Sequence, residues 1–268
     1  MRIFSVFEKL FTPYALIALN LAIILSALLA GGGEYFAESG LAHGIAILFV
    51  ALIIVRIFSD YAFSDYILRG FLRIQMAFFL FLGLVHVYEY LGLDVFMFNA
   101  EVVELSVMGS YLLWILGILL ALEFVFRIYS QKSAMFTVIL YTLLIGCFSV
   151  LVFASLSPVV AKSLPEWFPL IILSGIVGFG VISILAMVKI REIMPVFADY
   201  SRYAIPATIL VILAAFSEYF ESTSYLLTFG ISHTHVLYFA HFFVYIALSL
   251  LLIGFGKLKK PKGIYAEM

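Results

Sequence analysis

One cysteine, Cys147, stands in the whole chain, inside an apolar run. That excludes an internal disulfide, CxxC redox chemistry and a cysteine-rich metal cage. Charge is scarce too. Only 12% of the residues are Asp, Glu, Lys or Arg, and 65% are hydrophobic; a soluble domain carries about 25% charged residues and about 45–50% apolar ones. Such a chain cannot solvate its own surface, so the sequence predicts an all-α integral membrane protein. There is no basic footprint for nucleic acid, and the net charge of −1 says nothing about partners. The apolar start at 12–32 is too long for a cleaved signal peptide, whose core is about 7–15 residues, and reads as a retained first span.

Long apolar runs are abundant. A helix needs about 20 apolar residues to cross the hydrocarbon layer, and eight stretches qualify: 12–32, 41–58, 71–90, 108–126, 134–156, 168–189, 203–218 and 235–255. They lack the period-2 alternation of barrel strands, which leaves helices. With eight spans, fourteen of the fifteen Lys and Arg residues fall on one side, and only Lys162 falls on the other. By the positive-inside rule both termini are cytoplasmic and the chain is one multi-pass domain, 1–268, of the cell membrane. All five histidines (His43, His86, His233, His235 and His241) then fall at the extracytoplasmic ends.

A short signature recurs where outward spans end: GGGEYFAES, HVYEYLGL and FSEYFES, with Glu34, Glu89 and Glu218 each followed by tyrosine. A shift of 129 residues lays Glu89 on Glu218, Glu104 on His233 and the fourth span on the eighth. The sequence therefore predicts two four-helix halves, 1–130 and 131–268, built from helical hairpins.

The polar residues suggest a site. His86 and Glu89 are three apart, so on a helix both project from one face, the way helix bundles present mixed ligands to iron or manganese. The bland alternative is an interfacial histidine with its tip among headgroups. His233 and His235, in HTH, can share an ion only at a helix cap or in extended chain; a cap at Ser232 or Thr234 would leave His233 outside the helix. His241 is flanked by apolar residues, and a polar group in hydrocarbon needs a partner. Three glutamates at helix C-termini oppose the helix dipole, which calls for a compensating cation.

These features predict a metal site drawn from His86, Glu89, His233, His235 and His241, with Glu34, Glu104 and Glu218 as further carboxylates and His43 as an additional partner. Imidazole with carboxylate suits iron, copper or zinc. Alternatively, His86 and His241 hold a b-type haem from its two faces. The leading function is membrane redox chemistry or metal handling. The alternatives are a metal-ion or proton transporter, disfavoured by spans nearly free of ionisable groups at mid-depth, and a scaffold or sensor without chemistry. The many aromatic residues suit a quinol pocket as well as ordinary membrane filling. With no soluble domain attached, output calls for another membrane or extracytoplasmic subunit. No HExxH signature is present.

Overall fold

A computed structural model describes residues 18, 40–61, 66–94, 100–130, scattered positions from 138 to 149, 165, 167–221 and 233–258. Its elements are α1 (Gly40–Tyr61), α2 (Tyr66–Asp94), α3 (Ala100–Ser130), α4 (Phe168–Ile193), a 3-10 turn (Pro195–Phe197), α5 (Ala198–Glu221) and α6 (His233–Gly256). All six helices are long and apolar enough to cross a membrane. Helix is what such runs must form in lipid, where every backbone N–H and C=O has to be satisfied within the segment. Six of the eight predicted spans are these helices; of the other two, 12–32 has one described residue and 134–156 has eight, all helical, and the rest of both lie outside the described residues.

The helices overrun their apolar cores. α5 extends the predicted 203–218 by five residues at its start, and Asp199 in its first turn suits the helix dipole and pairs with Arg202 at 3.5 Å. Pro206 is accommodated inside α5. Between α4 and α5 the chain breaks at Met194, which is extended, and Pro195 opens the 3-10 turn. α2 and α3 both run into the predicted loop 91–107, so Glu101 and Glu104 belong to the first turns of α3.

Each helix packs on the next and α6 returns to α1, closing a ring. Contact pairs give the directions. His43–His241, Phe49–Tyr245 and Arg56–Gly256 advance together, so α1 and α6 are parallel. His43–His86, Val50–Gly83 and Tyr61–Arg73 run in opposite senses, so α1 and α2 are antiparallel. Leu112–Gly175 and Ile115–Gly180 make α3 and α4 parallel. α3 is buried on every face from Val107 to Leu122.

α5 and α6 pack most extensively, through small side chains. Ala204, Ala207, Val211, Ala214 and Ala215 form the buried seam of α5; Ala240, Ala247 and Gly254 recur every seven residues on α6. A Cβ on Gly254 would stand 3.2 Å from Cβ of Tyr203. Small residues let backbones approach, which is how helices associate where lipid removes the hydrophobic drive.

The result is a bundle with two unlike rims. One collects Arg56, Arg69, Arg73, Arg127, Lys189, Arg191, Arg202 and Lys257. The other receives His43, His86, His241 and Glu218.

Candidate functional site

Three helices deliver histidines to the same place, and each does so through an apolar seam. On α1 the buried positions include His43, Ala46, Val50, Ile53 and Ile57; on α2, Leu72, Gln75, Phe79, Leu82 and His86; on α6, which is buried on more than one face, His241, Val244, Leu248, Leu251 and Phe255. All three follow the alternating 3-4 spacing that keeps one helix face inward. A histidine therefore occupies a core position at the outer end of each seam. Only 6% of His43, 3% of His86 and 9% of His241 is exposed. His86 lies eight residues before the end of α2 and His241 eight after the start of α6, so both sit about 12 Å in from their helix ends.

The rings touch. His43 stands 5.9 Å from His86, tilted by 41°, and 5.4 Å from His241, nearly edge-on at 82°. Beneath them His241 packs on Tyr245 at 6.2 Å, and Tyr245 stacks on Phe49 at 6.2 Å. The cluster has an aromatic floor.

A second buried polar pair lies toward the same rim. The Tyr111 hydroxyl on α3 donates to Oε1 of Glu218 on α5 at 3.3 Å, and both side chains are buried. With Gly254 packed on Tyr200 and Tyr203, the α5–α6 register sets Ala214 and Ala215 opposite His241 and Glu218 about one turn further out. Deeper in the bundle, Nε2 of buried Gln75 donates to the Gly117 carbonyl at 3.1 Å.

Of the residues expected at a site, the fold brings together His43, His86 and His241 and buries Glu218 nearby. His43, expected only as an additional partner, is the ring that touches both others. His233 and His235 both lie in the first turn of α6, so the helix begins at His233 rather than after it. The side chains of His233, His235, Glu89 and Glu104, and all of Glu34, lie outside the described residues. Among the described residues, no three His, Cys, Asp or Glu side chains stand where they could together hold a metal ion. Tyr111 and Gln75 were not anticipated. The signal for Tyr111 was the polar break Gly109-Ser110-Tyr111 in the fourth apolar run; Gln75, alone in its span, offered a similar one.

Comparison with known protein families, with curated proteins and with solved structures finds no match for this chain.

Proposed function

We propose that the His43–His86–His241 cluster is the functional site of this multi-pass membrane protein and that it binds a transition-metal ion for redox chemistry or metal handling. The observation that carries this is the convergence of three of the five histidines, from three helices, on one buried point. A polar group kept in hydrocarbon is costly and marks function by default. A tetrahedral ion with metal–nitrogen bonds of about 2.0–2.1 Å holds its imidazole centroids about 5 Å apart. Separations of 5.4 and 5.9 Å are within an ångström of that, so ring rotations with a slight inward shift would bring the donors round. Glu218 is a buried carboxylate toward the same rim, and the Tyr111 hydroxyl donates to it, as carboxylates that support ligating histidines are commonly held. His43 packing on both other rings favours a bare ion over the broad face of a haem.

Two topological proposals accompany this reading. α3 and α4 run the same way, and a chain entering the bilayer twice from one side must cross back between them; this supports the span 134–156, and the expected span 12–32 would complete a count of eight. The basic rim is then cytoplasmic and the histidine rim extracytoplasmic, in the cell membrane. The halves are a duplication. Shifted by 129 residues, α1 falls on 169–190, α2 on 195–223 and α3 on 229–259, against observed elements Phe168–Ile193, Pro195–Glu221 and His233–Gly256. Parallel repeats of this kind are related by an axis along the membrane normal.

Titrating the detergent-purified full chain with zinc, cobalt or ferrous ion tests the site. The wild type is expected to bind stoichiometrically, and His241→Ala to lose the ion while keeping its helix content. Wild-type binding in that variant would return His241 to a packing role.

A further inference from the structure

The opposite rim carries a feature that the ion site does not use. Tyr61, the last residue of α1, lies under two guanidinium groups: Cζ of Arg69 is 5.8 Å and Cζ of Arg73 5.9 Å from its ring centroid. Arg73 also donates from Nη2 at 2.7 Å and from Nε at 3.3 Å to the Tyr61 hydroxyl. Both arginines are exposed, and they lie four residues, about one turn, apart on α2. The ring fixes both forks in advance. An arginine has five N–H donors, so Arg73 keeps donors beyond the two held by Tyr61.

What those donors face follows from the rest of the helix. From Tyr66 to Val87 the exposed positions of α2 are Tyr66, Arg69, Arg73, Ala77, Leu80, Leu84 and Val87, one stripe at 3-4 spacing opposite the seam that carries His86; Tyr90 and Leu91 are exposed beyond it. In a membrane-spanning helix, the outward stripe of such a bundle meets lipid. Beside it, α1 exposes Leu48, Val55 and Phe58. One continuous surface therefore offers two pre-set guanidinium groups at the headgroup end and an apolar track below them. Tyr66, 74% exposed, marks the interface in the manner of an aromatic belt.

We propose that Arg69, Arg73 and Tyr61 form a binding site for the phosphate headgroup of an anionic membrane phospholipid, whose acyl chain lies along Ala77, Leu80 and Leu84. Planar guanidinium forks match phosphate oxygens in pairs. The basic rim is where the positive-inside rule puts the leaflet richest in anionic lipid. The apolar track separates a lipid from free phosphate, which has nothing to lay there. This proposal is independent of the ion site.

The test uses the full chain in native mass spectrometry with added phosphatidylglycerol, phosphatidylcholine or inorganic phosphate. The wild type is expected to retain phosphatidylglycerol over phosphatidylcholine. Arg69→Gln with Arg73→Gln is expected to weaken the anionic lipid about thirty-fold, from two lost basic contacts, with ion binding at the histidines unchanged. Arg69→Lys with Arg73→Lys keeps the charge and is the safer variant for folding; it is expected to bind several-fold more weakly because the forks are lost. Equal retention of the two lipids, wild-type affinity in the glutamine or lysine pair, or displacement of the lipid by excess inorganic phosphate would each overturn the assignment.

Discussion

Under the proposed duplication two junctions of three helices correspond, and among the described side chains only one carries histidine. Where α1, α2 and α6 meet, the buried residues include His43, His86 and His241. The shift of 129 residues carries the first two onto Ile172 of α4 and Ala215 of α5, and carries Leu112 of α3 onto His241. All three of those residues are buried and apolar. The inner contacts match as well: Val50 meets Gly83 in the first hairpin, and Gly180 meets Ile212 in the second, positions that differ by 130 and 129. One inner contact is thus repeated. The apolar residues Leu, Ile and Ala fill the second set of positions, and the proposed ion site would account for histidine at the first.

The sharpest way to break this comparison is to remove the histidine that touches both others. His43→Ala is expected to lower ion affinity at least about a hundred-fold, by loss of a direct ligand where even a supporting partner costs about ten- to a hundred-fold. His86→Ala and His241→Ala are expected to be as severe, and unfolding in denaturant should move little for any of the three. A variant that kept its ion but lost stability would make the cluster a packing device.

Smaller effects test how the site is positioned. Ala247→Leu overfills the α5–α6 seam and is expected to destabilise the bundle by about 1–3 kcal/mol, weakening the ion as α6 is pushed from its place. A change of the same size at Val181, exposed on α4, should do neither. The mildest is Tyr111→Phe. Losing its bond to Glu218 is expected to cost about 0.5–1.5 kcal/mol of stability and at most about ten-fold in ion affinity. Glu218→Gln in parallel tells whether the carboxylate's charge matters beyond that bond.

The helices were legible because a run such as residues 168–189 is apolar without interruption, and lipid gives such a run no alternative to helix. Their ends were not. The first residues of α5, with Asp199 and Arg202, are a polar turn beyond the apolar core, where helical hydrogen bonding continues although hydropathy has dropped, and α2 runs four residues past its predicted end, through Asp94. The histidines were conspicuous by scarcity, and His86 and His241 were among the expected ligands of one site, paired across a haem only in the alternative reading. The place of His43 was hidden, because it depends on α1 lying parallel to α6, a contact between segments some 200 residues apart that no local pattern encodes. Tyr111 escaped for a simpler reason: a tyrosine in a membrane span is ordinary until its hydroxyl is found on a buried glutamate.

X-ray absorption of the zinc- or cobalt-loaded full chain bears most directly on the ion site. Three imidazole nitrogens at about 2.0–2.1 Å are expected in the first shell, reduced to two by His43→Ala. A shell of oxygen atoms alone, or no bound ion at saturating metal, would contradict it.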